Sequence, residues 1–402
     1  MNRLVRRLGT ADAVVIGLGS MIGAGVFSAF APAAAAAGSG LLAGLVIAGV
    51  VAYCNASSSA ALAARYPTSG GTYVYGRERL GDWWGFTAGW GFVIGKTASC
   101  AAMALTVASY VSPAWARPLA VLAVLSFAAV NYFGVTRTAR LARVLLVVTL
   151  VALGLTLVAV YGGAAGPAPG WTSGGPLGVL QAAGLLFFAF AGYARIATLG
   201  EEVRDPERTI PRAIPIALGI AFAVYALVGV GLLASLGPAA LAASPAPLAD
   251  AAQAGGLAWL APAARVGAVV AGLGALLALL TGIGRTALAM ARNSDLPGWL
   301  AAVHPRHRVP HHAEIVLAVV VCGLVLTVDL RGAIGFSSFG VLVYYAIANA
   351  SALTLRALPR WVPVLGLAGC LLLAATLPWQ SVVAGLAVFA VGLAGRAVAR
   401  RS

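Results

Sequence analysis

The feature that most constrains this chain is a series of long apolar runs, separated by short segments that hold nearly all of its charge. A helix needs about 20 apolar residues to cross the hydrocarbon core of a bilayer. Twelve runs approach that length: residues 11–37, 41–64, 84–111, 118–133, 141–161 and 177–199, then 213–236, 264–291, 313–328, 334–355, 362–377 and 381–398. Those at 118–133 and 362–377 are the weakest candidates. A transmembrane barrel would instead alternate polar and apolar over about ten residues. Only 9% of the residues are charged and 61% are hydrophobic, whereas a soluble domain carries about 25% charged residues. The expected class is an all-α integral membrane protein with about twelve transmembrane helices, embedded in the lipid bilayer. Its 50 glycines suit the close packing of such helices.

The positive balance of +15 is a topology signal. Arg117, Arg265 and Arg331 fall at one set of span ends, and Lys96 and Arg195 fall within spans. The remaining basic residues cluster at the other ends, from Arg3, Arg6 and Arg7 to Arg400 and Arg401. Basic residues mark the cytoplasmic side, which places both termini in the cytoplasm of a multi-pass plasma-membrane protein. No basic face forms, so nucleic acid is not an expected partner. The N-terminus imitates a signal peptide, but its apolar run is too long and is interrupted by Asp12. Cys54, Cys100, Cys322 and Cys370 lie apart in apolar segments and read as small buried hydrophobes. No motif calls for a cofactor, a metal or an obligate protein partner. The segment 237–262 is expected to fold as a short lid. The loop at 293–312 holds His304, His307, His311 and His312, open to a metal-binding, pH-sensing or merely solvated reading.

The sharpest local signal lies inside the first run, where Gly17, Gly19, Gly23 and Gly25 fall within nine residues. Each glycine weakens a helix by about 1 kcal/mol relative to alanine. In lipid the freed backbone groups need other partners, so a break makes sense where it lines a cavity. The amides of the following half-helix then favour a carboxylate. Close helix packing of the GxxxG type explains the same glycines equally well. The sixth run carries a second candidate break from Phe187 to Tyr193 (FFAFAGY). Paired interruptions at corresponding positions of two inverted halves point to a transporter site.

Four segments now carry a resemblance. They are Gly19 to Phe27 (GSMIGAGVF), Arg65 to Tyr75 (RYPTSGGTYVY), Gly200 to Ile214 (GEEVRDPERTIPRAI) and Arg285 to Arg292 (RTALAMAR). In this order the chain resembles the amino acid–polyamine–organocation superfamily of permeases. The resemblance implies a five-plus-five inverted-repeat (LeuT-like) core with broken helices one and six. It implies repeats over 11–161 and 177–355 and two further helices over 362–398. It also implies that backbone amides at Ile22, Gly23, Ala24 and Gly25 hold the substrate carboxylate. Carbonyls at Gly19, Ser20, Phe190 and Ala191 would hold the amino group, with Phe190 or Tyr193, flanking Gly192, as an aromatic lid.

Departures from the family pattern narrow the substrate. The glutamate often found in span two is replaced within Ala60-Ala61-Leu62, and the span-three region from Gly89 to Lys96 also lacks an acid. No Asp or Glu lies deep in the ten core spans; Asp329 and Glu314 sit at helix ends. A buried cationic side chain needs a counter-charge, so neutral amino acids are favoured over cationic ones or amines. Span eight offers no hydroxyl before Thr281, which disfavours sodium. In some relatives a span-five lysine replaces a sodium ion; that position here is Thr149.

Lys96, the chain's single lysine, stands about 20 Å along its helix from Trp83, near the bilayer midplane, where ionisable groups are functional candidates. It is expected to couple transport to protons, because a desolvated lysine can exchange its proton and arginine cannot. Snorkelling into an aqueous vestibule is the plainer alternative. Arg195 follows the second break and is expected to pair with Glu201 or Glu202 at an inner gate, with contact to an anionic group as the alternative. The sequence holds no HExxH, no paired carboxylates within a span and no nucleophile–base pair, so an enzyme is not expected. The expectation is a secondary amino acid transporter working by proton-coupled symport or exchange. A protein that binds amino acids without moving them is the alternative of another class.

Overall fold

A computed structural model describes residues 8–66, 70–133, 139–162, 174–197 and 203–399. Arg3, Arg6, Arg7, Arg137, Glu201, Glu202, Arg400 and Arg401, and residues 67–69 of the second family-like segment, lie outside the described residues.

The apolar runs become helices wherever the backbone can close its own hydrogen bonds, as lipid demands. The first run is not one helix but three: α1 (Thr10–Met21), α2 (Ala24–Ser28) and α3 (Phe30–Ala37). Then come α4 (Leu41–Arg65), the short α5 (Thr72–Leu80), α6 (Asp82–Val111), α7 (Ala116–Tyr132) and α8 (Ala139–Tyr161). The second half begins with the interrupted pair α9 (Gly175–Phe190) and α10 (Ala194–Ala197), followed by α11 (Pro206–Ala243), α12 (Pro247–Ala254) and α13 (Ala261–Arg292). The chain ends with α14 (His311–Thr327), α15 (Leu330–Leu355), α16 (Trp361–Thr376) and α17 (Trp379–Ala399). Among the described residues the sole β pairing is a parallel bridge between Leu8 and Val203.

Ten helices among the described residues are long and apolar enough to cross a membrane; α14 and α16, at 17 and 16 residues, are shorter apolar helices at two further expected positions. The weak run at 118–133 gains length from a 3-10 turn and extends over Pro113–Tyr132. The shortfall at α14 has a local cause. Pro310 stands at its N-cap, and two residues past its end Asp329 caps α15, its Oδ1 accepting from Gly332 N at 2.9 Å. Helix α11 extends beyond the expected 213–236 at both ends, with a kink at Gly237, φ 71°, close to the expected end. The lid segment is packed rather than loose. The Tyr110 hydroxyl donates to Phe27 O at 3.0 Å and accepts from Leu248 N at 3.2 Å, joining α6, α2 and α12.

Helices α6 and α15 are buried along most of their length, whereas α7 and α17 expose theirs. Glycine lets the two central helices touch: a β-carbon on Gly340 would stand 2.9 Å from Gly95 Cα. Beside this contact the hydroxyls of Ser99 and Ser337 lie 2.6 Å apart. Asn349 of α15 donates to Asn55 Oδ1 at 2.6 Å and accepts from Ser58 Oγ at 2.7 Å, tying α15 to α4. Cys370 is buried as expected, but it also donates to Asn55 Oδ1 at 3.3 Å.

One end of the bundle is closed by ion pairs. Asp295, in the loop after α13, receives Arg396 of α17 at 2.7 Å and Arg77 of α5 at 3.1 Å, and Tyr73 donates to it at 2.7 Å. Arg396 also donates to Asp82 O at 2.7 Å and stacks over Trp83 and Phe86, 4.8 Å from each ring centroid. Arg117 and Arg331, assigned to the other side by charge counting, line one open depression of about 730 Å³ with Gln181 and Trp379.

Candidate functional site

Both expected interruptions are present. Helix α1 stops at Met21, Gly23 takes φ −107° and ψ −145°, and α2 restarts at Ala24. Helix α9 stops at Phe190, tightens into a 3-10 turn over Ala191–Tyr193 and resumes as α10. The two breaks meet through main chain. A β-carbon on Gly192 would collide with Ser20 O, and one on Gly25 would stand 2.7 Å from Ala189 Cα. Glycine is required at both positions by this approach, which is closer than side-chain packing allows.

The polar groups exposed by the breaks are met by side chains from neighbouring helices. The Tyr225 hydroxyl of α11 lies 2.7 Å from Met21 O and 3.0 Å from Ala189 O, one carbonyl from each interrupted helix. Tyr345 of α15 donates to Ala191 O at 3.3 Å. Lys96, the midpoint of α6 and only 8% exposed, reaches the same oxygen at 3.5 Å. The residue singled out as a compositional outlier therefore stands at the second break. Neither tyrosine was named from sequence. The available signal was a tyrosine in the middle of an apolar run, since a buried phenolic hydroxyl seeks a partner.

The remaining site residues sort by their packing. The amide of Ile22 is already used, donating to Leu18 O at 2.7 Å to close α1. Gly23, Ala24 and Gly25 open the next half-helix, whose first amides lack intrahelical acceptors. Phe190 packs against Phe222 at 6.5 Å and Tyr225 at 4.9 Å between centroids. Tyr193 stacks on Tyr345 at 5.0 Å. Of the two aromatic candidates, Tyr193 thus shares the side occupied by Lys96. Thr149 lines a cavity of about 10 Å³ with Gly19, Ile22 and Ala275, and its hydroxyl donates to Leu145 O at 2.8 Å. That cavity is about the size of one water probe, too small to hold an amino acid. The side chain of Ser20 turns back to Ile16 O at 3.0 Å. Arg195 is exposed on α10; its expected partners Glu201 and Glu202 lie outside the described residues.

One of the acids expected at helix ends is also buried. Glu314 sits in the first turn of α14 yet is buried, accepting from Asn131 Nδ2 at 2.9 Å. Thr281 donates to Asn131 Oδ1 at 2.9 Å, which turns its hydroxyl toward α7. Glu314 follows His311 of the histidine loop by three residues. His304 and His307 lie 4.6 Å apart between ring centroids, and His304 Nδ1 accepts from the amides of Arg306 and His307 at 3.2 Å. Among the described residues no group of His, Cys, Asp or Glu is arranged to hold a metal ion.

Long apolar helices, two of them interrupted at touching positions, define a polytopic helical membrane protein with a backbone-lined centre. The sequence pattern described as amino acid permease matches residues 12–394, and the chain belongs to that family. An uncharacterized transporter of Mycobacterium tuberculosis is 64% identical over 406 residues, covering 99% of this chain and 92% of the relative. The branched-chain amino acid permease of Bacillus subtilis is 26% identical, covering 97% and 92% respectively. A vacuolar cationic amino acid transporter of Arabidopsis thaliana is 28% identical, covering 89% of this chain and 64% of that protein. These relatives are transporters and permeases rather than enzymes.

Proposed function

We propose that the chain is a secondary active transporter of neutral amino acids that works by alternating access in the plasma membrane, with both termini cytoplasmic. The supporting observation is the meeting of the two interrupted helices, with Ala191 O turned toward Lys96 and Tyr345. The amides of Gly23, Ala24 and Gly25 take the substrate carboxylate. The carbonyls of Gly19, Ser20, Phe190 and Ala191 take the amino group, and Tyr193 covers it. Residues 11–161 and 177–355 act as the two inverted repeats around this centre, with 362–398 added outside them. The proton is the coupling ion and Lys96 its carrier; Thr149 fills the span-five position without ion binding, and Arg195 serves the inner gate.

A cationic substrate is the second reading, because cationic amino acid transporters are among the relatives. The single cationic side chain in this centre weighs against it: a substrate ammonium or guanidinium beside Lys96 would be repelled. The test is uptake of labelled amino acids into proteoliposomes, with leucine, alanine, glutamate and arginine measured side by side. Uptake of leucine or alanine without arginine is expected. Arginine uptake alone would transfer the assignment to the cationic class. Binding without flux of any amino acid would reduce the chain to a non-transporting binder.

A further inference from the structure

The Ala191 carbonyl is contested. Tyr345 and Lys96 both reach it, at 3.3 and 3.5 Å, and on the reading above it also receives the substrate's amino group. A carbonyl oxygen has two lone pairs. Tyr345 takes one, so a single position remains for a cationic nitrogen. Two ammonium groups crowded on that oxygen would repel in a poorly solvated place, and among the described residues no carboxylate pairs with Lys96.

Among the described residues, the charges on the other helices packed against α6 stand toward helix ends, among them Arg77 of α5, Arg117 of α7, Glu314 of α14 and Arg396 of α17. Along α6 the nearest titratable neighbour is Cys100, one turn on. Helix α15 presents Tyr345, with Tyr344 beside it and Tyr193 of the break stacked on it. Helix α9 has no ionisable side chain. Across α1 and α2 the sole acid is Asp12, held by Arg143 at 2.7 Å. Helix α13 carries only Arg265, Arg285 and Arg292, toward its two ends.

We propose that substrate and proton exchange at this carbonyl. The substrate ammonium displaces that of Lys96. An N–H bond of Lys96 breaks, its electron pair stays on Nζ, and the proton passes to water on the side where the site is open. Once the substrate leaves on the other side, Nζ takes a proton from that side and returns to Ala191 O. Carried through alternating access, this cycle moves an amino acid one way and a proton the other. The transporter is therefore an antiporter, with Lys96 acting as a tethered substitute for the substrate's own amine. The inference rests on the proposed placement of the substrate amino group at the breaks.

Direction of flux tests it. Proteoliposomes of the full chain are loaded with a labelled mixture of the proteinogenic amino acids at equal concentration inside and out. The membrane potential is clamped, and a pH step is imposed. Exchange drives label into the more acidic compartment, up to about tenfold per pH unit for one proton per substrate. Label gathering in the alkaline compartment, or counterflow that ignores the step, would overturn the inference while leaving a transporter. No flux of any label would remove the transporter reading itself, and this inference with it. In detergent, binding of the same mixture to wild type should tighten with rising pH and release protons, and Lys96→Met should flatten that profile whatever its absolute affinity. An unflattened profile counts against the proposal, and should Lys96→Met fail to fold, the wild-type flux direction still decides.

Discussion

Arg396 and Asp295 form an ion pair of 2.7 Å in which each side chain is 1% exposed. It joins the last helix to the loop after α13, 101 positions apart in the chain by their numbering. Breaking a buried pair by removing one partner leaves the other charge without compensation, at a cost of about 3–5 kcal/mol. Asp295→Ala should therefore lower thermal stability in detergent strongly. The double replacement Asp295→Leu with Arg396→Met should recover much of the loss, since it strands no fully buried charge and Arg77, 27% exposed, keeps Asp82 at 3.2 Å. Equal losses for the single and double variants would contradict this account.

Tyr225 is predicted to hold the two interrupted helices together. Its hydroxyl has one proton for two carbonyls, Met21 O and Ala189 O. Tyr225→Phe keeps the ring contact with Phe190 and strands both oxygens. The expected cost is about 1–3 kcal/mol, read as a lowered melting temperature, together with reduced uptake in proteoliposomes.

Glycine replacements separate close approach from helix propensity. Gly192→Ala drives a methyl group into Ser20 O, so transport should be lost although the chain still inserts. Gly219→Ala, where a β-carbon meets nothing within 4 Å, should leave transport intact and be neutral or stabilising by about 0.5–1 kcal/mol. Matched loss in both would show that alanine itself, rather than the contact, is the fault.

The histidine loop gives a pH prediction with a definite sign. Partial desolvation, then the charges of His307, His311 and Arg306, push His304 below the usual histidine value of 6.5. Its Nδ1 also accepts two amides, which a protonated ring cannot do. The folded loop thus prefers the neutral ring, and its contribution is present above pH 6.5 and lost as pH falls toward the lowered folded value. Amide exchange over 302–311 should quicken on acidification from pH 7 to 5. His304→Gln should blunt that change.

Much of this architecture is legible in the sequence because lipid allows few backbone solutions. Run length locates most of the long helices, and the glycines from Gly17 to Gly25 bracket the first break at Ile22-Gly23, although their spacing alone fits close packing as well. Lys96 stands out because a lone lysine at midspan has no bland counterpart nearby. What stays hidden depends on partners far apart in the chain. Asp295 reads as a loop carboxylate until Arg77 and Arg396 close on it. Glu314 reads as a helix-end acid until Asn131 arrives from α7. Nothing in the pattern of apolar residues reveals that the Ile22 amide is still used by α1, or that Phe190 turns toward α11 while Tyr193 turns toward α15. Those are outcomes of tertiary packing.

The seam between the interrupted helices has a mechanical consequence. The Ile196 side chain packs against Gly17, while Gly192 meets the main chain of Ser20 and Gly25 that of Ala189, so around the breaks the two interrupted helices touch backbone to backbone. Sliding either one by a single residue, about 1.5 Å, would press main chain into main chain. The pair can tilt but cannot shear. The two interruptions therefore share one pivot, and a push on either arm is felt at once by the other.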